Sequence, residues 1–298
     1  MKKIEKNIVN ISKNIRVGGK TNLRLAKKYL LEFAYTILDL IFLAFLLTNF
    51  KNSKVAKKKK ITIVTAADKS HYLSANQLIN SVLRNTNNTI IYFFDLDQEA
   101  EFDYSSFDRD RFKYKKFEYY KYPDFFNFKF HSEYDGTYKL GYYAWKAIAT
   151  KEIADIESGI LIWCDAGNII KKDLNLVKKV INKNHFYSPI SSDKVKDWTY
   201  HSLVARFNLS KNILNKRNLW SCFVCFDLES EFGKFMVKEW SNWSLQRSLI
   251  APEGSSRSNH RQDQTLITLI YYLNKGEIYS PKTYKMFNLR FQRDLESN

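Results

Sequence analysis

The chain has 298 residues, 45% of them hydrophobic and 16% aromatic, enough for one large α/β core or two small ones and too apolar for a disordered chain. Its formal charge of +17 is concentrated in residues 1–60, which hold 15 basic and 3 acidic residues and leave 33 against 28 for the rest. A groove for nucleic acid needs its charge spread over the folded domain, so nucleic acid is not an expected partner. Three cysteines (Cys164, Cys222, Cys225) give no even disulfide framework, and the Cys222/Cys225 pair lacks a second pair for zinc, so buried reduced thiols are expected.

Residues 1–28 are polar and basic, and residues 33–50 are mostly apolar, with Asp39 their one charged residue. A spanning helix needs about 20 apolar residues, so this hydrophobic helix is near the lower limit. Asp39 inside it costs on the order of 3 kcal/mol on insertion scales. A short anchor, an interfacial helix and a helix packed on the following domain all remain open. The basic clusters at both ends suit anionic lipid headgroups and favour membrane attachment. The lysines of 57–60 mark a boundary, dividing the chain into a basic N-terminal segment, 1–60, and a folded domain, 61–298.

The domain begins with Ile61-Thr-Ile-Val-Thr-Ala-Ala67, a buried strand. A helix over 73–84 follows, with Leu78, Ile79, Val82 and Leu83 on one face, then a turn at 85–88 and a strand over 89–94. Strand, helix and strand at this spacing make the βαβ unit of a parallel sheet. A third strand is expected within 112–120, and Tyr122-Pro123 ends it. Residues 138–154 read as one helix. Gly159-Ile-Leu-Ile-Trp-Cys-Asp-Ala-Gly-Asn-Ile-Ile170 then supplies a central strand ending at Asp165. A helix over 174–181, an uninformative stretch over 188–218, a strand over 219–228 and a helix over 232–243 complete the middle of the chain. A loop over 251–259 precedes a last helix over 264–273.

Four motifs stand in order along this domain: Thr65-Ala-Ala-Asp-Lys-Ser-His-Tyr72, Tyr142-Tyr-Ala-Trp-Lys146, Ile162-Trp-Cys-Asp-Ala-Gly167 and His260-Arg-Gln-Asp-Gln264. Together they resemble the GT-A glycosyltransferases, in particular the retaining galactosyltransferases of family 8 and their Asp-Ala-Gly relatives. The resemblance implies a GT-A-like α/β fold, a Rossmann-type nucleotide-binding sheet flanked by helices, here preceded by the N-terminal hydrophobic helix. It also implies a divalent cation, Mn²⁺ or Mg²⁺, because negative charge builds on the departing diphosphate and a hard cation neutralises it.

Asp165 is the expected metal ligand and catalytic carboxylate. Gly167 stands where the family carries its second carboxylate. The resemblance places Asp68 and Ala66 at the nucleotide and Lys146 at ribose or phosphate, with Lys139 a further candidate of that kind. Asp263 is expected at the sugar or acceptor, and His260 at the metal. Each also has a plain structural reading. Asp165 is a strand-end turn former, Asp68 a helix N-cap, Lys146 an exposed helix lysine, and Asp263 with His260 a helix start. Asp95 and Asp97 read as turn formers, and His71, His131, His185 and His201 show no partner spacing.

The expected function is transfer of a sugar from a nucleotide-diphosphate donor to a glycan, lipid or protein acceptor, by a membrane-associated protein whose catalytic domain is cytoplasmic. The alternatives are a membrane-tethered nucleotide-sugar binding protein without catalysis, and a nucleotidyltransferase. The latter usually has a Gly-rich phosphate loop after its first strand, where this chain has Ala66-Ala-Asp-Lys69.

Overall fold

Ile61–Ala67 form strand β1, and all seven residues are buried. Burial on both faces explains why this run carries no polar alternation. Helix α1 (Tyr72–Asn85) turns Ala75, Leu78, Ile79 and Val82 to the core. It returns the chain to β2 (Thr89–Asp95), which lies parallel to β1 with Ile61 opposite Thr89 and Ala67 opposite Asp95. β3 (Phe112–Lys116) adds in parallel outside β2 and stops before the expected end at residue 120. The computed structural model describes residues 59–127, 129–131, 138–275, 289–291 and 293–295, with isolated positions 30, 33, 34, 37 and 41.

β4 (Lys129–His131) and β5 (Tyr138–Leu140) pair as an antiparallel ribbon where the start of a long helix is expected. The reason lies in the next three residues. Gly141, Tyr142 and Tyr143 hold φ of +56°, +51° and +63°. Left-handed residues cannot continue a right-handed helix, so α2 (Ala144–Ala154) begins only after them. Gly141 is required on two counts, because a Cβ there would also lie 2.7 Å from the Phe126 carbonyl oxygen. The two left-handed tyrosines cost about 1–3 kcal/mol each.

α2 packs against β1 and buries Ala144 to Thr150 without a break, Lys146 included. β6 (Ile160–Cys164) then lies parallel to β1 on the side away from β2. The chain continues through β7 (Ile169–Ile170), α3 (Asn175–Asn184), β8 (Phe186–Tyr187) and β9 (Ile190–Lys194). Three short helices, Val195–Trp198, His201–Arg206 and Lys211–Asn215, fill the stretch that was uninformative in sequence. β10 (Arg217–Leu219) pairs with β9, and β11 (Phe223–Asp227) enters the main sheet. α4 (Glu231–Ser244) and α5 (Gln262–Lys275) cover one face, and β12 (Leu289–Arg290) pairs back onto β7.

The main sheet runs β3-β2-β1-β6-β11-β8. Its first four strands are parallel, and β11 is antiparallel to both neighbours. The chain leaves β1 toward β2 and later returns to β1's other side at β6. That reversal is a topological switch point, where open α/β sheets hold ligands outside the strands' carboxyl ends. Asp68 follows β1 directly, and Asp165 follows β6 directly. All three cysteines are free and buried.

The chain divides into two units, Met1–Lys51 with Pro281–Thr283, and Asn52–Ser280 with Tyr284–Asn298. The sheet belongs to the second. In the first, positions 30, 33, 34, 37 and 41 are helical and exposed. The rest of the hydrophobic helix expected at about 33–50 lies outside the described residues. Among the described residues no helix is long and apolar enough to cross a membrane.

Candidate active site

A cleft of about 320 Å³ opens at the switch point, lined by Ala66, Asp68, Lys146, Asp165, Arg257 and Asp294 among others. The turn after β6 presents Asp165 to it. Asp165 N–H donates to the Cys222 carbonyl at 3.0 Å, and Asn168 N–H donates to the Asp165 carbonyl at 3.0 Å. The Asn168 amide also donates to the Cys222 carbonyl at 2.8 Å, tying the turn to the start of β11. The Trp163 indole N–H, itself buried, donates to Asp165 Oδ1 at 2.7 Å and fixes the carboxylate.

Lys146 reaches the same atom from α2. Its Nζ lies 2.9 Å from Asp165 Oδ1 and 3.5 Å from Asp263 Oδ2, with its side chain only 8% exposed. This is not the exposed helix lysine of the plain reading. Burial disfavours its charge, but the carboxylates of Asp165 and Asp263 outweigh that and hold the ammonium above its ordinary pKa. The rings of Tyr143, Trp145 and Trp163 lie 5.2, 6.0 and 5.8 Å from Nζ and add cation–π attraction. The left-handed turn at Tyr142 and Tyr143 is what brings the Tyr143 ring to this position.

Asp263 sits in the first turn of α5, as the helix-start reading has it, and also faces Lys146. Burial pushes its carboxyl above the usual value, against the pull of Lys146, and its Oδ2 makes no hydrogen bond. Asp68 accepts from the Ser70 hydroxyl at 2.5 Å and meets His71 Nδ1 at 3.0 Å, without a side-chain cap bond to the following turn. Burial raises its pKa, but the bonds from His71 and Ser70 outweigh that and hold it low. His71, which shows no partner spacing in sequence, is thus paired and lines the cleft.

The structure therefore brings together Ala66, Asp68, Lys146 and Asp165 on the cleft, with Asp263 directly behind Lys146. It does not bring His260 there. His260 is fully buried, its Nε2 lies 3.1 Å from the Ile250 carbonyl oxygen, and burial pushes its imidazole down to about 4. It is not among the residues lining the cleft. Lys139 lies in β5, but its side chain falls outside the described residues. Asp95 and Asp97 also lie off the cleft. Asp97 accepts the backbone N–H groups of Glu99 and Ala100 at 3.0 and 2.8 Å, as a turn former does.

Two charged cleft residues are absent from the sequence reading. Arg257 comes from the 251–259 loop, stacks its guanidinium 5.3 Å from the Tyr143 ring centre, and has a buried Nε with no hydrogen-bond partner. Asp294 comes from the C-terminal tail. No local signal marks either one.

The divalent cation implied by the resemblance can be tested against these groups. Asp165 Oδ1 is already shared by Trp163 and Lys146. Among the described residues no group of three or more His, Cys, Asp or Glu side chains could hold a metal ion. A closed protein cage is therefore not built here. A cation of the magnesium type, which takes one or two carboxylates and completes its shell with water and substrate phosphates, fits the donor set.

A cleft of this kind, with cations and carboxylates together at a switch point, suits a polar, charged ligand. Solved structures to which the chain is similar include glycosyltransferases. They include the bifunctional glycosyltransferase WbbM in its apo form (11% identity, TM-score 0.44, 72% of this chain and 38% of that one). GlyE of Streptococcus pneumoniae TIGR4 is similar at 10% identity and TM-score 0.43, over 77% of this chain and 47% of that one. The galactosyltransferase LgtC, in complex with donor and acceptor sugar analogs, is similar at 13% identity and TM-score 0.41, over 71% and 70%. The chain spans less than half the length of the first two. At these scores the likeness is loose, and no residue role follows from it. No protein-family model matches the chain. No curated protein matches it either.

Proposed function

We propose that the chain is a glycosyltransferase that moves a sugar from a nucleotide-diphosphate donor to a glycan, lipid or protein acceptor. The observation that carries this reading is the Lys146 ammonium, buried at the switch point between Asp165 and Asp263. In transfer, the bond from sugar C1 to the diphosphate oxygen breaks and a bond from C1 to the acceptor hydroxyl oxygen forms. The hydroxyl proton leaves to solvent or to the released diphosphate. Negative charge grows on the departing oxygens, and a fixed cation in a site of low dielectric stabilises it. Lys146 supplies that charge without reorganising, because Asp165 and Asp263 hold it in place. Arg257 adds a second cation from the loop side. Asp68 and Ala66, at the end of β1, contact the nucleoside, and Asp263, buried behind Lys146, holds the ammonium in place. A divalent cation, Mn²⁺ or Mg²⁺, held by Asp165, would neutralise the same phosphate oxygens when bound.

The test is nucleotide release from a panel of nucleotide sugars with Mn²⁺, using the full chain. Release from at least one donor, reduced at least about 100-fold by Asp165→Ala, is expected. No release from any donor, or an unchanged rate in the variant, overturns the reading. Membrane association through residues 33–50, with the domain on the cytoplasmic side, belongs to the same proposal. Its support is the apolar run with basic clusters at both ends for the membrane, and the three free cysteines for the reducing side. Membranes carrying the protein should retain it through a high-salt wash, and release by salt alone would sink a spanning helix.

A further inference from the structure

Gly167 stands where a second carboxylate is expected after Asp165, yet the space beside it is not empty. A Cβ built on Gly167 would lie 2.2 Å from Asp294 Oδ1, 2.7 Å from its Cγ and 2.8 Å from its Oδ2. All three are shorter than real Cβ contacts, so a side chain at position 167 would collide with the tail. The Asp294 carboxylate thus occupies the space that an aspartate side chain at position 167 would fill.

The tail is held there by bonds to the two elements that frame the cleft. Leu289 and Arg290 pair with Ile170 and Ile169, two residues beyond Gly167. The Arg293 N–H donates to the Gly167 carbonyl at 2.6 Å, and the Leu295 N–H donates to Ser74 Oγ on α1 at 2.8 Å. The Gln77 side chain, also on α1, donates to the Arg293 carbonyl at 3.0 Å. These bonds fall on the residues immediately before and after Asp294, so its backbone is fixed on both sides. Its carboxylate, by contrast, is engaged by no hydrogen bond or ion pair among the described residues, and it lines the cleft with Asp165. An exposed anion with unused acceptor oxygens, on the same cleft as a carboxylate already shared with Lys146, is one donor of the set that a hard cation takes.

We propose that Asp294 is the second carboxylate of a divalent-cation site, supplied by the C-terminal tail in place of a side chain at Gly167. The inference rests on the glycosyl-transfer reading for its purpose but not for its test. The tail and the Asp165 turn together form the site, with water and ligand phosphates as the remaining ligands. The arrangement also explains why a side chain is excluded at position 167, since an aspartate there would drive into the carboxylate already in place.

The experiment is Mn²⁺ titration of the full chain, with bound ion followed by the loss of the free-ion electron paramagnetic resonance signal. Thermal melting in chelator controls for folding. Asp294→Asn should weaken Mn²⁺ at least tenfold while melting as the parent does. Gly167→Asp combined with Asp294→Gly moves the carboxylate back onto the turn and should restore affinity to within about threefold of the parent. An Asp294→Asn curve that overlays the parent's, a parent that takes up no Mn²⁺, or a swap that fails to restore binding in a folded protein each overturns the proposal. The same preparations separate it from the wider reading. Nucleotide release with unchanged Mn²⁺ binding in Asp294→Asn keeps glycosyl transfer and removes the tail carboxylate. Mn²⁺ binding that depends on Asp294, with no donor bound or turned over, keeps the metal site and removes glycosyl transfer.

Discussion

Asp95 and Asp165 occupy matching places in one sheet, the first ending β2 and the second following β6, and the chain treats them in opposite ways. Asp95 is fully buried and accepts from Tyr72 at 2.6 Å, Tyr114 at 2.8 Å, the Asp97 N–H at 3.0 Å and Lys116 at 3.4 Å. Burial and this carboxylate together push both phenols well above their ordinary range. Asp165 is a third exposed, and its paired oxygen is shared between Trp163 and the buried Lys146. A buried carboxylate with every partner inside the fold stiffens the sheet edge. One that lies partly open to a cleft, with a cation locked beside it, is arranged for a ligand. Position at a strand end does not separate the two cases, and the partners do.

The sharpest way to break this contrast is at Lys146. Lys146→Met leaves Asp165 and Asp263 facing each other without their cation. Removing one member of a buried pair costs about 3 kcal/mol or more, read by urea unfolding. Nucleotide release should fall at least about 100-fold in the same variant. Lys146→Arg should not rescue it, because the planar guanidinium cannot occupy a pocket shaped around one ammonium by Tyr143, Trp145 and Trp163. Full activity in the Met variant would leave Lys146 a structural ion and return Asp165 to the class of Asp95.

Substitution of the two aspartates themselves comes next in size. Asp165→Asn keeps an acceptor for the Trp163 indole and leaves Asp263 to hold Lys146, so its stability cost should be smaller than that of Lys146→Met. Nucleotide release should nevertheless drop about 100-fold, and equal rates would refute its role. Asp95→Asn should do the reverse. Its loss of a charged acceptor for several donors costs about 1–3 kcal/mol by urea unfolding. Its release rate, measured well below the melting temperature, should match the parent's.

The sheet was legible because its strands are apolar runs: 61–67, 89–94 and the run into Asp165 need no tertiary information to be read as buried. Their order then places Asp68 and Asp165 at neighbouring strand ends. The helix beginning at residue 138 was misread because three consecutive left-handed residues, two of them tyrosines, leave no mark in hydrophobic periodicity. His260 was misread because a histidine before a helix looks the same whether it faces a metal or, as here, the core carbonyl of Ile250. Arg257 and Asp294 were invisible for a different reason. They reach the cleft through a loop and a tail, and the bonds that place Asp294 join residues more than 110 positions apart, such as Arg293 and Gly167. Distances of that kind are a property of the folded chain alone.

The smallest effect concerns Asp263, which shares burial with Asp95 and a cation with Asp165. Burial raises its carboxyl pKa above the ordinary 3.8, although Lys146 pulls the other way. The folded chain therefore holds this proton more tightly than the unfolded one. The resulting stabilisation is fully present below the unfolded value and is lost as pH rises through the raised folded value. Asp263→Asn has no such proton to lose. Urea unfolding of both proteins between about pH 3.5 and 7 should show the parent losing ground to the variant as pH rises. A parent that instead gains ground would mean that Lys146 outweighs burial at this carboxylate. Asp263 would then be a satisfied structural partner like Asp95, and the ligand-facing role would rest on Asp165 and Lys146.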